Sequence, residues 1–128
     1  MEGSRFRKED MMLTFYEYPK CSTCRRAKAE LQKLGVDFKS VDLTVDTPTA
    51  EQLKKWMQES DYTIKNFFNT SGQAYRALGL KDKVDSLSID EAAELLASDG
   101  MLIKRPVLVK DNRVLQLGHR KSYRDLFE

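Results

Sequence analysis

Two pieces of sequence decide how this chain folds: Met12-Leu13-Thr14-Phe15-Tyr16, and, just past Pro19, the run from Cys21-Ser22-Thr23-Cys24 to Gly35. Met12–Tyr16 is short, apolar and β-prone, which reads as a buried strand. From Ser22 to Leu34 the apolar positions Cys24, Ala27, Leu31 and Leu34 recur at three and four residues, the period of a helix, and Gly35 supplies its C-cap. The same spacing separates the two sulfurs. Cys24 falls on the core-facing stripe, whereas Cys21 falls just before the helix, where it can be exposed.

These two are the only cysteines in the chain. A disulfide across two intervening residues closes too small a ring to staple a fold. A helix N-terminus, by contrast, stabilises a thiolate through its unpaired N–H groups and dipole, and Arg25 and Arg26 add positive potential. One attacking and one sheltered sulfur is the asymmetry that thiol–disulfide exchange requires. Two other readings stay open on the residues alone. The pair could be inert packed cysteines, or half of a zinc site for which only His119 is a candidate soft partner.

Outward from this stretch, Val36–Leu43 reads as a second strand, and Thr49 with Gln52 as a capping box ahead of a helix to about Ser60. Ile64–Phe68 is a short apolar turn broken by Asn69-Thr70-Ser71-Gly72, read as a structural turn. A helix carries Ala74, Tyr75 and Leu78, and Ser88 with Glu91 caps another that ends at Asp99-Gly100. Val107–Val109 and Val114–Leu117, joined across Asp111-Asn112, form a hairpin. His119–Phe127 is expected to be a final helix, with no role assigned to His119. Trp56, Phe67 and Phe68 are read as core. The order is β-α-β, a helical block, then β-β-α: an α/β domain whose first two strands are parallel.

At 128 residues, with 41% apolar and 33% charged residues, the chain suits one globular domain. A net charge of +2, from 22 basic and 20 acidic residues, gives no nucleic-acid footprint. No apolar run reaches the ~18–20 residues of a bilayer span. Residues 1–11 are polar and lack a secretory core, so they are expected to be a disordered leader that adds nothing to the fold, with the domain at 12–128. A cytoplasmic monomer is expected, in a compartment where a transient disulfide is more plausible than a permanent one.

Four separated motifs, Cys21-Ser22-Thr23-Cys24-Arg25, Asn69-Thr70-Ser71-Gly72 with Tyr75-Arg76, Lys104-Arg105-Pro106 and Leu117-Gly118, carry a resemblance to the thioredoxin-like arsenate reductase (ArsC)/Spx/MgsR family. The chain looks most like its small Spx/MgsR-like, arsenate reductase-like members. The resemblance implies a thioredoxin-like fold with a helical insertion, about residues 48–100, between strands 2 and 3. It puts the nucleophile on Cys21 and an anion-binding arginine on Arg105, beside a cis Pro106. With Cys24 as resolving cysteine, the implied substrate- or anion-binding set is Ser22, Thr23, Arg25, Lys65 and Pro106. The chain departs from the arsenate reductase pattern in having Cys24 at all. Lys65 is the nearest match to an arginine of the helical block, and lysine lacks the bidentate fork. A third arginine would fall near Gly118, and only Arg120 is close.

The implied activity is a thiol-dependent oxidoreductase, arsenate reductase-like, acting on a small oxyanion or a disulfide. No tightly bound cofactor is expected, and the reductant would be glutathione with glutaredoxin, or thioredoxin. The alternative is an Spx-type redox regulator that binds the C-terminal domain of the RNA polymerase α subunit. Against it, the chain ends at Glu128 without the basic extension those regulators resemble. A scaffold that has lost its chemistry is the third reading.

Overall fold

A computed structural model describes residues 13–127. The expected leader at 1–11 lies outside the described residues, as does Met12 at the expected start of the first strand. The elements run β1 (Leu13–Glu17), α1 (Ser22–Leu34), β2 (Phe38–Asp42), α2 (Ala50–Gln58), α3 (Gln73–Ala77), α4 (Ile89–Ser98), β3 (Val107–Lys110) and β4 (Arg113–Leu117), with short 3-10 turns between and after them.

The four strands form one sheet in the order β2-β1-β3-β4. β1 pairs parallel with β2, Leu13 opposite Phe38 through Glu17 opposite Asp42, and antiparallel with β3, Leu13 opposite Lys110. β3 and β4 close the hairpin. Its turn residues, Asp111 (φ 52°) and Asn112 (φ 64°), both take the left-handed conformation that lets a two-residue turn follow the strand twist. The expected mixed α/β fold is the one observed, with the helical block inserted between β2 and β3.

Strand alternation sends side chains to two cores. Leu13 and Phe15 of β1 and Leu108 of β3 pack with Ala27 and Leu31 of α1 and with Tyr123. Val107 and Val109 point to the other face, against Trp56, Met57, Phe67, Phe68 and Leu96 of the inserted block. β3 is therefore covered on both faces, which explains its unbroken apolar run.

Two local expectations need correction. Thr49 accepts from the Gln52 N–H at 3.1 Å, but the reciprocal half of the capping box does not form. The Gln52 amide instead donates to the Tyr16 hydroxyl and Asn112 Oδ1, both at 3.2 Å. The final helix is absent, leaving only a 3-10 turn at Arg124–Leu126. Side chains have taken the backbone groups that a helix would use. Gln116 donates to the Lys121 carbonyl at 2.8 Å, and Glu30 on α1 accepts from the Tyr123 N–H at 2.8 Å, from His119 at 2.7 Å and from Ser122. The segment is strapped to α1 rather than wound on itself.

Candidate thiol site

β1 ends at the centre of the sheet, and the three-residue loop Tyr18-Pro19-Lys20 delivers the chain to the N-terminus of α1. Cys21 is the N-cap, extended at φ −85° and ψ 121°, with its backbone N–H donating to the Tyr18 carbonyl at 2.9 Å. Its Sγ does what a serine hydroxyl does at a helix start: it accepts the Cys24 N–H, at 3.4 Å. Cys21 is half-buried, while Cys24, one turn on, is fully buried; both are free thiols.

The environments drive the two sulfurs apart. For Cys21, burial is the largest influence and opposes ionisation. The Cys24 thiol and N–H, the Arg105 guanidinium and the Thr23 N–H together outweigh it and hold the Cys21 thiol below its ordinary value. For Cys24, burial again leads, and with the neighbouring Cys21 sulfur it pushes the thiol up to about 12, against a backbone hydrogen bond from Tyr18 and the charge of Arg105. One sulfur is favoured as thiolate and the other as thiol.

Arg105 comes from the far end of the chain, on the segment that leads into β3. The Arg105–Pro106 peptide is cis, and the Pro106 carbonyl accepts the Gly118 N–H at 2.8 Å. The guanidinium Nη1 donates to the Met101 carbonyl at 3.3 Å and lies 3.5 Å from that of Ile103, while the Tyr18 ring lies 5.1 Å below its central carbon. Its Nε is buried without a partner.

Cys21, Cys24, Arg105 and Pro106 thus gather at the C-terminal end of β1. Ser22 is exposed on the first turn of α1, and Thr23 accepts from Arg26 at 3.4 Å. Arg25 braces the loop, with Nε donating to the Pro19 carbonyl at 3.1 Å. Lys65 stands apart, on a cavity of about 860 Å³ with Lys104, Gly118 and Arg120, which neither Cys21 nor Arg105 lines. Arg105 instead borders a cavity of about 560 Å³ with Asn69, Ser71, Gly72 and Arg76, so the turn read as structural faces the arginine. Among the described residues no group of three or more His, Cys, Asp or Glu side chains could hold a metal ion, and no helix is long and apolar enough to cross a membrane. His119 is engaged by Glu30.

Sequence reading missed Tyr18 and the Met101 and Ile103 carbonyls. A backbone acceptor leaves no trace in residue type, and an aromatic before Pro19 gives no sign of the cation it will meet from 87 residues away.

The family model described as the ArsC family matches residues 16–125. Among curated relatives, "Uncharacterized protein YusI" of Bacillus subtilis (strain 168) is 48% identical over 112 residues, covering 88% of this chain and 94% of that protein. "Regulatory protein MgsR" of the same strain is 34% identical over 110 residues, covering 86% of this chain and 85% of its own length. Among solved structures, that of "a possible arsenate reductase" from Streptococcus mutans UA159 superposes with a TM-score of 0.88 at 61% identity, over 91% of this chain and 98% of that one.

Proposed function

We propose that this chain, which belongs to the ArsC family, is a thiol-dependent oxidoreductase of the arsenate reductase-like kind, with Cys21 as nucleophile, Cys24 as resolving cysteine and Arg105 as the anion-binding group. The observation that carries the reading is the divergence of the two thiols: an N-capping, half-exposed Cys21 held toward its thiolate, against a buried Cys24 held as thiol.

The chemistry balances without a metal or nucleotide. The Cys21 thiolate attacks a substrate disulfide, forming a mixed disulfide and expelling the other half as thiolate. Cys24 then loses its proton, attacks Cys21 Sγ and releases the second half, leaving a Cys21–Cys24 disulfide. With arsenate, the first step forms a sulfur–arsenic bond and expels water. Attack of Cys24 on Cys21 Sγ then leaves the electron pair on arsenic and releases arsenite. Either way the protein has lost two electrons, which glutathione with glutaredoxin, or thioredoxin, would restore in a reducing cytoplasm. Arg105 and the α1 N-terminus offset the negative charge of the oxyanion or leaving thiolate. Ser22 and Thr23, on the first turn, offer N–H groups to the same anion. Arg25 acts through the loop, and Pro106 sets the approach of backbone to Cys21. Lys65 would meet only a substrate that extends into the larger cavity.

A second reading is favoured by the similarity to MgsR, whose name is that of a regulatory protein. There the same thiol pair is a switch and the partner is the C-terminal domain of the RNA polymerase α subunit.

The test is turnover of arsenate and of a small disulfide with each reductant, for the wild type, Cys21→Ser and Cys24→Ser. The enzyme reading expects no activity from Cys21→Ser, and from Cys24→Ser a trapped mixed disulfide seen by mass spectrometry. Absence of turnover with every reductant, together with redox-dependent binding to the purified α-subunit domain, would replace the enzyme with the switch.

A further inference from the structure

We propose that Tyr18 is a positioning residue for the thiol site: its ring and the Met101 and Ile103 carbonyls clamp the Arg105 guanidinium from separate sides and keep it within electrostatic reach of the Cys21 sulfur. The inference rests on the role given to Arg105 above and extends it to a residue outside the thiol motif.

Two contacts converge on Tyr18. Its carbonyl accepts the Cys21 N–H at 2.9 Å, which fixes where the N-cap sulfur starts. Its ring sits 5.1 Å from the central carbon of Arg105, inside the range in which a guanidinium is attracted to an aromatic face. Tyr18 therefore joins the loop that carries the nucleophile to the segment that carries the cation, although the two lie at opposite ends of the sequence.

Arg105 needs such a clamp. Only Nη1 is anchored, by two carbonyls at 3.3 and 3.5 Å, and both belong to the 3-10 turn Gly100–Leu102 and the residue after it. Nε is buried with no partner. A guanidinium held by one nitrogen can swing about that anchor, and an aromatic face against its plane removes this freedom. Among the described residues Arg105 has no carboxylate partner. The ring attracts it without neutralising it, so the positive charge stays available to Cys21 and to a bound anion. A carboxylate at position 18 would hold the arginine as well and cancel its field.

The experiment is site-resolved alkylation of Cys21 against pH in the reduced full-length chain, for Tyr18→Phe, Tyr18→Leu, Arg105→Gln and the Tyr18→Leu/Arg105→Gln pair. Tyr18→Phe keeps the ring and should match the wild type. Tyr18→Leu should move the midpoint upward, making alkylation at neutral pH about threefold slower, the change that loss of one cation–ring contact supports. Arg105→Gln should move it at least as far, and the pair no further than Arg105→Gln alone. Because Tyr18→Leu could unsettle the loop, a second series places phenylalanine, then mono- and trifluorinated phenylalanine, at position 18. The ring volume barely changes while its attraction for a cation falls, so the midpoint should climb with fluorination. A midpoint unmoved across that series, with Arg105→Gln still shifting it, overturns the role of Tyr18 and leaves that of Arg105 intact. If Arg105→Gln moves nothing, the role of Arg105 falls, and that of Tyr18 with it.

Discussion

Replacing Gly100 by alanine tests both how the inserted block is seated and how the arginine is held. Gly100 is buried and opens the 3-10 turn Gly100–Leu102. A Cβ built there would sit 2.1 Å from the Leu43 carbonyl oxygen, 2.7 Å from its carbon and 3.2 Å from the Thr44 Cα. All three atoms are backbone, so no rotamer change relieves the overlap. More than an ångström of separation must come from moving the turn away from the end of β2. Overpacking of this kind costs about 3 kcal/mol, the upper end of the usual range, because both sides are main chain. At this chain length that is a fall in Tm of roughly 10 °C. The displaced turn also carries the Met101 carbonyl that anchors Arg105, so we expect the alkylation midpoint of Cys21 to rise in the same variant. Thermal unfolding by circular dichroism and pH-dependent alkylation read the two effects separately. Gly79→Ala is the control: Gly79 has φ +64° with nothing within 4 Å of an added Cβ, so only the conformational penalty of about 1–2 kcal/mol applies. A Gly100→Ala protein as stable as Gly79→Ala would refute the close approach of the turn to β2.

The other expectations concern the ties between distant segments. Glu30 is held down to about 2 because its hydrogen bonds from Ser122, the Tyr123 N–H and His119 outweigh the burial that opposes ionisation. A carboxyl depressed on folding contributes stability above its unfolded value of about 4.3 and loses it as pH falls toward 2. Glu30→Gln should therefore cost about 1–2 kcal/mol at pH 7, partial exposure included, and little at pH 2, which urea unfolding at the two pH values would check. Equal losses at both would reject the electrostatic origin. Asn112 Oδ1 accepts from the Trp56 indole N–H at 3.1 Å and from Gln52 at 3.2 Å. Asn112→Gly keeps the left-handed turn but strands a buried donor, so we expect a loss of about 1–3 kcal/mol and a shifted emission of Trp56, the only tryptophan. Unchanged emission would place that indole elsewhere.

The parts of the fold legible in the sequence are those governed by local chemistry. Gly35 takes φ 74° and caps α1, and Ser88 with Glu91 forms a complete capping box on α4. The period that put Cys24 inside and Cys21 outside α1 is the one observed. What the sequence hid depends on partners far along the chain. His119–Phe127 is helix-like in composition, but Gln116 and Glu30 bind its backbone first, and Gly118 at φ 72° turns the chain away. Gln52 fits a capping box by spacing, yet the hairpin tip, 60 positions away, offers its amide a better acceptor. At the candidate thiol site the two cysteines stood out in the sequence, because it holds no others. The groups that orient Arg105 did not, since two are carbonyls and the third is a tyrosine ring.

The sheet divides the interior unequally. The helix bearing the thiols rests on the smaller apolar side, with six buried residues, and the inserted block fills the larger. Few apolar partners seat that helix, so its moorings are in good part polar: Lys28 reaches back to Glu17 on β1, and Glu30 fastens it to the C-terminal segment.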